Sequence, residues 1–299
     1  MSGATPVDEA LLHGMPLPRH QDGEDKNQRG RVAVLGGSAE IPGAVLLAGV
    51  AALRAGAGKL LVATARSVAG PLAVALPEAR VIGLAETAAG GLASEAAGTL
   101  AEQCGRCHAL VLGPGMVDAE AVAALTAGLL QRMEGLRFVL DAAALYRLAE
   151  CRAALRGHAG RVVLTPHAGE MAGLLGVPQA AVEADPLGAA REAASELQAV
   201  VAMKGGRTFI VTPQGQAWCC DRGHVGLATS GSGDTLAGII GGLLARGAVP
   251  AEAAVWGVFL HGEAGARLAR RLGRVGFLAR ELPGEIPRIM AGFDPPEEP

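Results

Sequence analysis

Aromatic side chains are scarce in this chain, with two Trp, one Tyr and five Phe among 299 residues. That is too few for the stacking platforms on which single-stranded nucleic acid is held. A formal net charge of -3 gives no basic footprint for a polyanion, so nucleic acid is not an expected partner. No uninterrupted apolar stretch is long enough to span a bilayer. The stretch from Met1 to Arg29 is polar and proline-containing, without the apolar centre of a signal peptide, so a soluble cytoplasmic protein with no membrane partner is expected. The five cysteines form no regular framework, which fits reduced thiols. Cys104-Gly105-Arg106-Cys107-His108 has the letters of a haem c attachment site. It runs straight into the apolar stretch Ala109 to Leu112, however, and such attachment belongs to exported proteins. A four-ligand zinc site would need a second pair at suitable spacing, and Cys219-Cys220 are adjacent. These thiols read as ordinary buried or edge residues. A P-loop is missing, since Gly58-Lys59 lacks the preceding glycine spacing, and the glycines near Gly231 lack the third member of a dinucleotide fingerprint.

What is present is material for a large core: half of the residues are hydrophobic and 44 are glycine, which suits small-residue helices packed closely on a sheet. Apolar runs at Arg31 to Leu35, Leu60 to Thr64, Ala109 to Leu112, Phe138 to Asp141, Val162 to Thr165 and Val200 to Lys204 are separated by stretches that suit crossover helices. Strands apolar throughout are covered on both faces, so a mostly parallel sheet between two helix layers is expected. Thr208 to Val211 and Gln216 to Cys219 follow, joined by Thr212-Pro213-Gln214-Gly215, which predicts an antiparallel hairpin at one side of the sheet. Helices are expected from about Ala44 to Ala55, after Asp234 as far as Gly247 and Pro250, and from about Ala251 to Leu272. The alternation has no linker, so residues 1–299 read as one domain with loosely held ends at about 1–29 and 294–299. A homo-oligomer is expected, with the small apolar helix from Ala251 to Leu272 as its candidate interface.

The most informative segment is Gly226-Leu227-Ala228-Thr229-Ser230-Gly231-Ser232-Gly233-Asp234-Thr235-Leu236-Ala237-Gly238, a glycine-rich turn that opens a helix. Gly231 and Gly233 let backbone N–H groups approach an anion, and the helix N-terminus adds unpaired donors and partial positive charge. A fixed carboxylate, Asp234, beside a phosphate seat weakens binding unless it has work to do, such as taking a proton from an attacking hydroxyl. The competing reading is that Asp234 only caps the helix. Other loops follow predicted strands: Gly36-Gly37-Ser38 leading to Pro42-Gly43-Ala44, Gly113-Pro114-Gly115, Thr165-Pro166-His167-Ala168-Gly169-Glu170 and Lys204-Gly205-Gly206-Arg207-Thr208. Each alone is explained by a tight turn, a satisfied imidazole or a snorkelling lysine. Five such loops at one edge of a parallel sheet make a binding cleft.

These motifs, taken in order with Leu53-Arg54-Ala55-Gly56-Ala57-Gly58 and His261-Gly262-Glu263-Ala264-Gly265, resemble the ribokinase-like superfamily over Lys26 to Leu272. Within it they are similar to the ADP/ATP-dependent NAD(P)H-hydrate dehydratases. The glycine turn points only to the superfamily; the Thr-Pro-His-x-Gly-Glu stretch and the Gly-Gly-Ser to Pro-Gly-Ala segment point to the dehydratase branch. The resemblance implies a three-layer αβα sandwich and a repair reaction. In that reaction the terminal phosphoryl group of ADP activates the ring hydroxyl of hydrated NADH or NADPH, and phosphate then leaves. It implies Asp234 as catalytic base, and Ala44, Gly115, His167 and Asp234 as contacts of the hydrated nicotinamide nucleotide. Lys204, Gly205, Gly206, Arg207 and Thr208, with Gly231, Ser232 and Gly233, would hold ADP or ATP. Mg2+ would bridge the phosphates, with Glu170 reached through water. The chain departs from the family pattern at Asp141-Ala142-Ala143-Ala144-Leu145-Tyr146, which lacks one carboxylate and one amide. It departs again at His224-Val225, where a proline normally precedes Gly226, and at Ser230, which replaces a usual glycine. Two alternatives stay open: a superfamily kinase that phosphorylates a vitamin-precursor alcohol, and a non-catalytic nucleotide-binding sensor.

Overall fold

The computed structural model describes residues 3–23 and 25–294. Its frame is one ten-stranded sheet. The strands are β1 (Thr5–Pro6), β2 (Arg31–Leu35), β3 (Lys59–Ala65), β4 (Ala79–Leu84), β5 (Ala109–Leu112), β6 (Arg137–Leu140), β7 (Val162–Leu164), β8 (Val200–Met203), β9 (Thr208–Val211) and β10 (Ala217–Cys220). The helices are α1 (Glu9–His13), α2 (Gly43–Arg54), α3 (Arg66–Ala75), α4 (Ala96–Cys104), α5 (Ala119–Arg132), α6 (Arg152–Gly157), α7 (Ala168–Leu175), α8 (Gln179–Ala184), α9 (Pro186–Leu197), α10 (Ser232–Ala245), α11 (Pro250–Leu272) and α12 (Leu282–Ala291).

The sheet runs in the order β1-β10-β9-β8-β7-β6-β5-β2-β3-β4. From β8 through β4 every pairing is parallel, while β8 with β9 and β9 with β10 are antiparallel. Alternate residues of each central strand serve opposite layers: Val32 and Val34 join one buried cluster, Ala33 and Leu35 the other. Helices α2, α10, α11 and α12 cover the first face, and α4, α5, α7 and α9 the second. This is the three-layer αβα sandwich expected from the fully apolar strands.

The hairpin β9–β10 forms through the Thr212 to Gly215 turn as expected, with Gly215 N–H donating to Thr212 O at 2.9 Å. Two strands were not legible. Strand β4 is an edge strand, half-exposed along most of its length and interrupted by Gly83, so it lacks the apolar continuity of its neighbours. Strand β1 has two residues and pairs in parallel with β10, so the hairpin is not the sheet edge.

The expectation of a loose N-terminal end is corrected as well. The head is tied down by β1 and by Leu12, which is fully buried. Trp256 Nε1 donates to Met15 O at 2.7 Å, and Arg246 Nη2 donates to Pro18 O at 2.8 Å. The tail beyond Asp294 lies outside the described residues. The helix expected as an oligomer interface, now α11, spends its apolar residues inside the fold, where Val255, Trp256, Phe259 and Leu260 are all buried. Among the described residues no helix is long and apolar enough to cross a membrane.

The contact between α2 and α10 positions everything that follows. A Cβ on Gly238 would stand 2.1 Å from Ala48 O, and one on Gly242 would stand 2.3 Å from Ala52 O. The two helices therefore touch backbone to backbone. They run in the same sense, and their N-termini open on the edge of the sheet where the parallel strands end.

Candidate active site

The strand order reverses between β2 and β5, and open α/β sheets leave a crevice at such a point. The loop after β2 and the loop after β5 meet there: Gly37 N–H donates to Pro114 O at 2.7 Å. A Cβ on Gly115 would fall 2.6 Å from the Ala44 Cβ. Ala44 and Gly115, expected on the substrate side, thus form one small-residue floor at the N-terminus of α2. The loop after β5 continues towards the neighbouring strand end, where a Cβ on Gly113 would fall 1.8 Å from Asp141 O.

Asp141 is the hub. Its side chain is almost wholly buried, and Oδ1 accepts from Lys204 Nζ at 2.8 Å and from Thr165 Oγ1 at 2.6 Å. A buried carboxylate needs such partners to remain charged. Lys204 Nζ also lies 3.7 Å from Glu170 Oε2. Burial pulls the Lys204 ammonium towards neutrality, but Asp141 and Glu170, with a smaller contribution from Asp234, outweigh it and hold its pKa above the usual lysine value.

The glycine turn lies beside this pair. Gly231 sits in the left-handed region at φ +84, which turns the chain into α10, and no side chain caps the helix. Ser232 N–H donates to Thr229 O at 3.2 Å, and the N–H groups of Gly233 and Asp234, which have no acceptor within the helix, are the ones that face a ligand. This overturns the capping alternative for Asp234, which lies inside the first turn and makes no cap hydrogen bond. Lys204 Nζ would be 3.5 Å, and Asp141 Oδ2 3.8 Å, from a Cβ placed on Gly233. Burial, then the negative charge of Asp141, push the Asp234 carboxyl up to about 6, against the opposing pull of Lys204. A carboxylate with that pKa is a competent proton acceptor near neutral pH. Behind the turn, Ser232 Oγ and His261 Nε2 are 2.9 Å apart. Burial drives the His261 pKa down to about 4, so a neutral imidazole backs the turn.

His167 begins α7. Its Nδ1 accepts from Gly169 N–H at 3.0 Å and Glu170 N–H at 3.2 Å, while Glu170 Oε2 accepts from His167 N–H at 2.8 Å. With Nδ1 used as an acceptor, the proton sits on Nε2, 3.4 Å from Glu170 Oε1, on a side chain that is 60% exposed. The imidazole therefore presents a donor to the cleft and is held by its own cap.

A cavity of about 650 Å3 opens beside the turn. His167, Lys204, Gly205, Gly206, Thr208, Ser232 and Gly233 line it, and Leu227, Leu236 and Val258 give it an apolar wall. Arg207 is not in the lining; its guanidinium lies 6.0 Å from the Phe209 ring centre. Gly231 is set back against Leu47, and Ala44, Gly115, Glu170 and Asp234 lie outside the lining. In the sequence Asp141 stands out only as part of a departing segment, Thr165 only as the start of a motif, and His261 only within a motif that assigns it no role. Among the described residues, no three His, Cys, Asp or Glu side chains converge as a self-sufficient metal cage.

A family model described as NAD(P)H-hydrate dehydratase matches residues 32–288. The chain belongs to this family. It is 50% identical over 285 residues to an ADP-dependent (S)-NAD(P)H-hydrate dehydratase of Xanthomonas campestris, covering 95% of each sequence. The ADP/ATP-dependent NAD(P)H-hydrate dehydratase of Bacillus subtilis, crystallised with ATP and Mg2+, superposes with a TM-score of 0.81. It is 29% identical, with 98% of this chain and all of that one covered. A ribokinase-like superfamily protein of Enterococcus faecalis gives the same TM-score at 27% identity, covering 98% of this chain and 97% of that one. The family is thus a ribokinase-like fold, as the ordered motifs implied.

Proposed function

We propose that the protein restores hydrated NADH and NADPH to the working cofactors, using ADP as phosphoryl donor and releasing AMP and phosphate. The observation that carries this reading is the partly desolvated Asp234 carboxyl, pushed up to about 6, in the uncapped first turn of α10 beside Lys204. Hydroxide is a poor leaving group from the hydrated ring, and phosphate is a good one. Asp234 takes the proton of the ring hydroxyl as that oxygen attacks the terminal phosphorus, and the bond to the AMP oxygen breaks. The ring nitrogen lone pair then expels phosphate, and loss of a proton from the neighbouring ring carbon restores the double bond.

In this reading Gly205, Gly206 and Thr208 hold the adenine nucleotide, and Lys204 and the Gly233 N–H meet its transferring phosphoryl group; Arg207 and Gly231, which lie outside the cavity lining, are left without a direct contact. Donors aimed at developing charge are worth about 3 kcal/mol each. Ala44 and Gly115 form the floor under the nicotinamide nucleotide, and His167 orients it through Nε2–H. Asp141 and Glu170 are hard oxygen donors at the phosphate seat, the type that Mg2+ accepts alongside nucleotide phosphates and water. Bound there, the ion would neutralise phosphate charge. In this reading the ligands are small molecules of the cytoplasm, where nicotinamide cofactors are used.

The deciding experiment incubates the protein with hydrated NADH and either ADP or ATP, following the return of dihydronicotinamide absorbance together with AMP and phosphate. Recovery that requires ADP is expected. Recovery without nucleotide, or none with either nucleotide, would overturn the reading. A stable phosphorylated alcohol as sole product would instead identify a kinase.

A further inference from the structure

Cys104 closes α4 and Cys107 precedes β5, with Cys107 N–H donating to Cys104 O at 2.7 Å. Such an i to i+3 turn holds the two Cα atoms within about 7 Å, the range in which two cysteines can be bridged. The two thiols are close enough to perturb one another's proton affinity. The pair lies at the edge where the parallel strands begin, opposite the edge that carries the candidate active site.

Their environments differ in a way that assigns roles. Cys104 is 1% exposed, whereas Cys107 is only partly buried. The neighbouring Cys104 thiol and the nearby positive charge of Arg31 lower the Cys107 pKa against the effect of burial; the pairing with Cys107 and burial raise that of Cys104. An accessible thiolate stabilised by a neighbouring thiol attacks, and a buried partner resolves.

We propose that Cys104 and Cys107 form a redox-active dithiol that takes a low-molecular-weight disulfide, such as glutathione disulfide, as its oxidant. The Cys107 thiolate attacks one sulfur of that disulfide, forming a mixed disulfide and releasing one glutathione thiolate. Cys104, on losing its proton, attacks the Cys107 sulfur, forming the intramolecular disulfide and releasing the second glutathione thiolate. Two electrons pass from the dithiol to the glutathione sulfurs, and the two cysteine protons end on the two glutathione thiols. This reading is independent of the dehydratase activity.

The test is made on the full chain with glutathione disulfide, followed by alkylation of remaining thiols, trypsin and mass spectrometry without reductant. Trypsin cuts after Arg106, so a bridge between Cys104 and Cys107 keeps two peptides joined until reductant is added. The expected result is that joined species, with two of the five thiols lost. In Cys104→Ser the mixed disulfide on Cys107 should accumulate, because its resolving thiol is gone, and in Cys107→Ser neither product should form. The unmodified protein supplies the main readout, so a poorly folded variant leaves the test intact. The proposal fails if the unmodified protein keeps glutathione on Cys107, if both thiols remain free to alkylate, or if either one bridges to Cys151, Cys219 or Cys220 instead.

Discussion

The Lys204 ammonium is held 2.8 Å from the Asp141 carboxylate, and the same pair flanks Asp234, so the proton affinity of Asp234 is set by two opposed neighbours. The carboxylate raises it and the ammonium lowers it. Burial sets the baseline from which both act.

The first prediction concerns pH. If Asp234 must be ionised to act, kcat/KM rises with pH through about 6 and then levels. Asp141→Asn removes the neighbour that raises the Asp234 pKa and leaves the positive charge of Lys204 unopposed. Both changes act in one direction, so the acid limb should move below 6. A limb that stays in place, measured between pH 4.5 and 8 on the variant, would show that Asp141 does not tune the base.

The second joins activity to stability. Asp234→Asn should lower turnover by roughly 100- to 10,000-fold while leaving nucleotide binding intact. The carboxyl has a higher pKa in the folded protein than its ordinary 3.8, so the folded state binds its proton more tightly. Stability from this group is therefore present at low pH and lost as pH rises through about 6. The variant should melt higher than the parent at pH 8 and equally at pH 3.5. Calorimetry showing no gain at pH 8 would contradict the buried-charge account.

A third prediction follows from His261, whose folded pKa of about 4 lies below the ordinary 6.5. The unfolded chain binds its proton more readily, so this group makes the protein lose stability as pH falls from 6.5 towards 4. His261→Gln keeps a hydrogen-bonding partner for Ser232 and cannot become charged. Its melting temperature should fall less between pH 7.5 and pH 5 than that of the parent.

Fold and site were legible to different depths. The central strands were readable because each is apolar on both faces, and the glycine turn because backbone and carboxylate chemistry lie next to one another in the chain. Asp141 was harder to find because its importance comes from Lys204 and Thr165, which lie on two other strand ends. Strand β4 lacked continuity, and β1 is too short to show a period. The head read as polar and loose because its anchors, Trp256 and Arg246, are more than 200 residues away in sequence.

A fourth prediction tests the helix contact. Gly238→Ala would place a methyl group 2.1 Å from a backbone oxygen of α2, where no side chain can give way. Forced overpacking of this kind costs about 1–3 kcal/mol. A lower melting temperature and slower turnover are both expected, because α2 and α10 carry the two halves of the site. Unchanged melting would mean that the helices can part freely.

That contact also fixes a length. Where Gly238 meets Ala48 and Gly242 meets Ala52 no side chain stands between α2 and α10, so no rotamer change there can shift one helix against the other. The helix pair works as a rigid calliper. On the reading that Ala44 and Gly233 mark its two jaws, a ligand held at both ends is measured against a fixed length.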